Sequence, residues 1–169
     1  MAFMSATWRI FCLIVLLSVT TFALAEHPAS FVSSATTKGI AEIENSKLAL
    51  EKSNSSDIKL FARLMVSEFT AANKELSILA KNRHIPVLED EELVSQAKTL
   101  VLKLRDNESF DAAYINNQIQ MLQSTIEFFE SESVSLEPNN DDFKGFANKM
   151  LNKLKGHLST AQKLAVSHN

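Results

Sequence analysis

Apolar and small residues recur along four stretches of this chain at alternating spacings of four and three. One stretch reads Ile58, Ala62, Met65, Phe69, Ala72, Leu76 and Leu79; another reads Phe143, Ala147, Met150, Leu154, His157, Ala161 and Leu164. That spacing keeps one face of an α-helix against partner helices, as in a bundle. No strand-like alternation of any length accompanies it, so the pattern predicts an all-α fold.

Punctuation sets the expected helix limits. Pro28 precedes a first helix at about 30–52, and Asn54-Ser55-Ser56-Asp57 breaks it while supplying a cap and an acidic first turn for a second at about 57–83. Beyond Pro86, a short amphipathic helix is expected at about 89–105, with Leu93, Ala97, Leu100 and Leu104 on one face. Asp106-Asn107 ends it. The next helix, about 108–132, has one apolar face of Ile115, Ile119, Leu122, Ile126 and Phe129 and another including Phe110, Tyr114, Met121 and Phe128. Apolar residues on two faces predict a deep position. Pro138-Asn139-Asn140-Asp141 caps the last helix, about 140–166.

Two of the three connections between long helices are short, and the middle one spans about 25 residues. A four-helix bundle with one long crossover is the ferritin-like arrangement. The expected fold is therefore all-α, a ferritin-like four-helix bundle with an extra short helix in the long connection between helices 2 and 3. A weak internal repeat fits two helical hairpins: Asp57-Ile58-Lys59-Leu60-Phe61-Ala62-Arg63-Leu64-Met65 resembles Asp142-Phe143-Lys144-Gly145-Phe146-Ala147-Asn148-Lys149-Met150. The shared patterning rule also produces such similarity by chance.

An address precedes the bundle. Residues 1–25 carry one positive charge, Arg9, then an apolar run from Ile10 to Leu17, then Ala23-Leu24-Ala25. This is the three-part pattern of a secretory signal peptide, and cleavage is expected before Glu26. The apolar run is short for a membrane span of about 20 residues. The domain division is thus a signal peptide at 1–25 and a single helical-bundle domain at 26–169. Cys12, the lone cysteine, falls inside the signal, so the exported chain would have no thiol and no disulfide.

Without Arg9 the remainder holds 16 basic against 20 acidic side chains, with no run of basic residues. A mildly acidic chain of this kind is a poor candidate for nucleic acid or for anionic membrane surfaces. Three glycines in the whole chain leave no glycine-rich phosphate loop, and no Gly-x-Ser-x-Gly, His-Glu-x-x-His or Glu-x-x-His occurs. These absences argue against an enzyme and against a bound cofactor.

Interior polar residues are where chemistry is to be sought. The first helix has a small-residue seam, Ala35, Gly39, Glu42, Ser46 and Ala49, that turns Glu42 inward. A buried carboxyl needs a partner, and His157 on the seam of the last helix is the expected one, the first and last helices being taken as neighbours. His157 itself reads as a hydrogen-bonded core histidine rather than a metal ligand, one imidazole being a weak site. Glu68, beside its seam, reads as a solvated acid. Asp111 reads as a first-turn acid favoured by the helix dipole, and Tyr114 as a buried ring whose hydroxyl bonds a neighbour. Glu89-Asp90-Glu91-Glu92 reads as a solvated helix start, since adjacent acids on a helix do not converge on one cation. His27, His84 and His168, at ends or linkers, carry little signal.

Several segments resemble the bacterial domain-of-unknown-function family 4142. They are Phe31-Val32 with Gly39-Ile40-Ala41-Glu42, Lys47-Leu48-Ala49-Leu50-Glu51, Phe61-Ala62-Arg63-Leu64-Met65-Val66, Phe110-Asp111-Ala112-Ala113-Tyr114 and His157-Leu158-Ser159-Thr160-Ala161-Gln162. The likeness covers nearly all of residues 31–165. It implies an exported ferritin-like bundle, often labelled an outer-membrane protein, of no established activity. The family typically has Asp-His on the second helix where Glu68-Phe69 stand here, and Asp-His on the third where Met121-Leu122 stand. Its last-helix histidine matches His157.

A ferritin-like di-metal centre draws about four carboxylates and two histidines from facing helices, and this chain offers Glu42, Glu68 and His157. The expected function is accordingly an exported, non-catalytic bundle acting by binding or in envelope maintenance, with no cofactor and no membrane span after cleavage. An envelope or secreted partner of unknown identity is its natural counterpart. The competing class is a metal-binding, ferritin-like protein linked to oxidative stress, with a reduced ligand set around Glu42, Glu68 and His157. A third class, a bundle presenting a helix to another envelope protein, would show an exposed apolar patch, with the short helix as its natural bearer.

Overall fold

A computed structural model of the chain describes residues 23–87, 110–136 and 140–168. Four helices make up nearly all of it: α1 (Ala23–Lys52), α2 (Ser56–Asn82), α3 (Phe110–Ser135) and α4 (Asp141–His168). The expected signal segment, apart from its last three residues, and the expected short helix at 89–105 lie outside the described residues. The acidic run Glu89–Glu92 lies outside them too.

α1 begins earlier than expected and takes Pro28 inside it. Proline so near a helix start forgoes a single backbone bond, and the flanking Ala-Leu-Ala-Glu stretch has high helix propensity. Between α1 and α2 the Ser53 hydroxyl accepts the Ser55 N–H at 3.0 Å. Ser55 is the N-cap of α2 but makes no side-chain capping bond. Its hydroxyl goes to Asp57 Oδ1 at 2.6 Å, which also accepts the Ile58 N–H at 2.8 Å. At the other end of α2, His84 has φ 56°, a left-handed conformation. That lets Ile85 N–H reach the Ala80 carbonyl at 2.9 Å and His84 N–H the Lys81 carbonyl at 3.1 Å, the double bond that closes many helices. Pro86 then prevents continuation.

Contacts along the helices fix their order and direction. Lys38, Glu42 and Ser46 on α1 meet Ser124, Gln118 and Tyr114 on α3, so rising numbers on one face falling numbers on the other. Glu68, Glu75 and Arg83 on α2 likewise meet Lys153, Lys149 and Asp142 on α4. Packing is most extensive within the α1–α2 and α3–α4 hairpins, and each hairpin's free faces meet the other through α1–α3 and α2–α4. α2 and α3 therefore run in the same direction, and α3 starts at the end of the bundle opposite the one where α2 finishes. The expectation that the first and last helices are principal neighbours is corrected: α1 and α4 lie on a diagonal, because the long connection exchanges the two positions.

The seams read from sequence form the core. Ile58, Met65, Phe143, Leu154 and Leu122 are all fully buried, while Leu79 and Leu164 at seam ends are only partly so. α3 is no deeper than its neighbours. Its second apolar face is half-exposed apart from Tyr114, and Phe128 covers Phe31 instead. Phe31 is the hub of one end, with its ring centre 5.8–6.4 Å from those of Phe128, Phe129, Phe143 and Phe146. Through Phe143 and Phe146 it bridges the diagonal.

Gly39 on α1 leaves room for the Asn73 side chain of α2. A Cβ there would collide with the Asn73 carboxamide, whose Nδ2 donates to the Thr36 carbonyl at 3.4 Å. Replacing glycine by alanine inside a helix ordinarily gains about 1 kcal/mol. Here Gly39→Ala should instead lower stability in the native background, and should recover a gain of about 0.5–1 kcal/mol when Asn73 is also cut to alanine. Denaturant titration of the four proteins of the cycle measures both; a gain from Gly39→Ala alone would refute the close approach.

Candidate functional site

Polar side chains enter the interior in two places, one on each inter-hairpin seam. On the α1–α3 seam Glu42 is fully buried, as its place among small residues requires. Its partner is Gln118, whose Nε2 donates to Glu42 Oε2 at 2.9 Å. Around this pair the Ser46 and Tyr114 hydroxyls are 3.2 Å apart, and the carboxamide nitrogens of Asn45 and Asn117 both point at the Met121 sulfur, at 3.6 and 3.0 Å. Tyr114 behaves as its sequence position suggests, with ring buried and hydroxyl bonded; burial pushes its phenol well above the usual range.

The α1–α3 seam is short of donors. Glu42 Oε1, Gln118 Oε1 and Asn45 Oδ1 are buried with no hydrogen-bond partner among the described residues. Burial pushes the Glu42 carboxyl up to about 8, a rise that the Gln118 hydrogen bond and the Lys38 charge only partly offset. The neutral acid therefore predominates at neutral pH, and its proton is a donor that the ionised form lacks. Desolvation also lowers the Lys38 pKa, opposed by Glu42 and Glu127. Lys38 Nζ lies 3.3 Å from the Ser124 hydroxyl and 5.5 Å from the Phe128 ring centre.

Beside this cluster a half-open cleft of about 400 Å³ runs between α1 and α3, lined by Lys38, Ala41, Asn117, Gln120, Met121, Ser124 and Thr125. Its walls offer one ammonium, two carboxamides and two hydroxyls around a thioether. Such walls can hold a small polar molecule by hydrogen bonds.

The second polar place lies between α2 and α4. His157 is almost fully buried, with its ring centre 6.5 Å from that of Phe69. Its Nε2 is 3.8 Å from Glu68 Oε2, and the same oxygen accepts Lys153 Nζ at 2.5 Å. Burial lowers the His157 pKa, Glu68 opposes this and Lys153 adds to it, so the imidazole is neutral near pH 7. Glu68 is thus tied down rather than simply solvated.

The expected Glu42–His157 contact is corrected. Glu42 turns toward α3 and His157 toward α2, because their helices sit on the diagonal and each faces its own antiparallel neighbour. The reduced metal set is divided in the same way: Glu68 and His157 are adjacent, and Glu42 bonds elsewhere. Among the described residues no group of three or more histidine, cysteine, aspartate or glutamate side chains could hold a metal ion. Asp111 lies in the first turn of α3, as expected, but its Oδ1 is buried without a partner among the described residues. His84 serves the helix stop and His168 Nε2 lies 3.0 Å from Asp57. Sequence reasoning missed Gln118, Asn45 and Lys38. Gln118 did carry a signal: a polar residue three after buried Ile115 and four before buried Leu122 occupies a seam position.

The Glu42 shift has a definite sign. Its folded pKa, about 8, stands above the ordinary 4.5. The stability that the neutral carboxyl contributes is fully present below pH 4.5, falls as pH rises toward 8, and is lost above it. Glu42→Gln removes this titration. Relative to that variant, the native protein should lose on the order of 3–5 kcal/mol across the window, at about 1.36 kcal/mol per pKa unit. Parallel stability–pH curves for the two proteins would show that Glu42 is ionised in the fold.

No curated protein and no solved structure matches this chain. A family match does exist, and it covers residues 18–164, taking in all four helices and both polar seams. The chain belongs to the family described as Domain of unknown function (DUF4142).

Proposed function

We propose that this chain is an exported, ferritin-like bundle that acts by binding, in envelope maintenance or toward a secreted partner, and not by catalysis. The observation that carries the reading is the separation of its interior polar groups. The carboxyl of Glu42 is engaged by Gln118 and the phenol of Tyr114 by Ser46, while the imidazole of His157 lies 3.8 Å from Glu68. Among the described residues the carboxyl and the phenol share the α1–α3 seam, and the imidazole stands apart on the α2–α4 seam. Phe69, fully packed where the family typically has histidine, contributes burial in place of a ligand.

The ferritin-like reading is supported by two short connections, one long one and antiparallel contact around the ring of helices. Export is supported by the Ala23-Leu24-Ala25 ending. Cleavage before Glu26 would leave Pro28 in the first turn of α1, where a missing N–H costs no helical bond. No helix among the described residues is long and apolar enough to cross a membrane.

Two measurements test the proposal. Edman sequencing of exported material should begin at Glu26; chains retaining Met1 would end the export reading. The purified protein should contain no stoichiometric transition metal, and chelator should leave its melting temperature unchanged. A fall of many degrees on chelation would restore the competing metal-binding reading.

A further inference from the structure

The outward face of α2 has a character that the composition hides. α2 contains three acids and four bases. Asp57 contacts His168 at 3.0 Å, Glu68 bonds Lys153 at 2.5 Å and Glu75 bonds Lys149 at 2.7 Å, so every acid is committed to α4. The side chains of Lys59, Arg63, Lys74 and Lys81 make no hydrogen bond or ion pair among the described residues. At 100° per residue the four bases fall within an arc of about 60°, on the flank of α2 away from the three acids.

Beside the bases runs an exposed apolar line. Leu60 is 66 % exposed, Leu64 43 % and Ile78 51 %, three of the five large apolar side chains so exposed among the described residues. Ser67, Ala71 and Lys74 continue the same alternating spacing of four and three, and all are exposed. From Leu60 to Ile78 the line is about 27 Å long at 1.5 Å per residue. α2 thus has one seam buried in the bundle and a second facing out, edged with unpaired positive charge.

We infer that this face docks the bundle on an anionic lipid surface. Its chemistry separates that occupant from a protein. Protein interfaces centre on aromatic and arginine anchors in pockets and are depleted in Lys, Ser and Ala. This face is convex, has no aromatic residue, and consists largely of Lys, Ser, Ala and Leu. Leucine and isoleucine beside lysine stems suit the boundary between headgroups and acyl chains, where the apolar side chains enter and the ammonium groups stay with the phosphates. A spatial cluster of bases therefore exists where the linear sequence shows none. Docking does not rest on export, since a cut and an uncut chain carry the same face.

Vesicle co-flotation of the full chain tests the inference. Charge-independent binding through the apolar run Ile10–Leu17 is controlled for by taking as readout the excess of binding to vesicles of about one-third phosphatidylglycerol over pure phosphatidylcholine. The excess should shrink as salt rises. At about 1 kcal/mol per cation near an anionic surface, Arg63→Gln with Lys74→Gln should reduce it about 25-fold. Lys144→Gln with Lys163→Gln, the same charge change on α4, should leave it in place. Leu64→Ser with Ile78→Ser should weaken binding while the exposed sites leave helicity unchanged. No anionic excess, or equal losses from the two lysine-containing pairs, would overturn the docking face. Dimers that Leu64→Ser with Ile78→Ser disperses, seen without any anionic excess, would assign the line to a second copy and overturn it equally.

Discussion

The parallel run of α2 and α3 governs what the interior can become. It places α1 and α4 on a diagonal and leaves each facing an antiparallel neighbour from the other hairpin. Glu42 on α1 and His157 on α4 then look at different helices, toward Gln118 and Glu68. One polar centre becomes two polar seams. The divided arrangement is a result of topology, and no local feature of either residue would reveal it.

The two seams solve the burial problem differently. Between α2 and α4 the polar atoms stay near the surface, where Lys149 and Lys153 reach the carboxylates and water shares the cost. Between α1 and α3 the acid is sealed off, and the small side chains of α1 leave room for carboxamides and hydroxyls instead of apolar packing. An ionised carboxyl would be costly there, so the acid retains its proton. Phe31 with the Phe128 and Phe129 rings holds the same pair of helices together farther along, as an apolar counterweight to a polar seam.

Much of the fold was legible in the sequence because period alone carries it. Every member of the α1 seam, from Ala35 to Ala49, is buried, and the limits of α2 fall within a residue of expectation. Burial of Glu42, His157 and Tyr114 followed from the same arithmetic. Which residue meets which did not, because pairing depends on helix order and axial register, and neither leaves a mark on the spacing within one helix. Gln118 has a seam position that the spacing makes visible, three after Ile115 and four before Leu122. The basic face of α2 was hidden for a related reason: its charges are spread over 23 residues, and the pairing of the acids with α4 leaves all four unmatched.

The two short connections have a kinetic consequence. Within each hairpin the partner helices are close in sequence, so their contacts close small loops and can form early. The seams between hairpins join residues 59–111 positions apart and must wait for one hairpin to find the other. Glu42 is therefore still in water while α1 and α2 assemble, and loses its hydration only when α3 arrives. Proton uptake by this one side chain belongs to the docking of two preformed halves, and alkaline conditions would slow that last step more than the folding of either half.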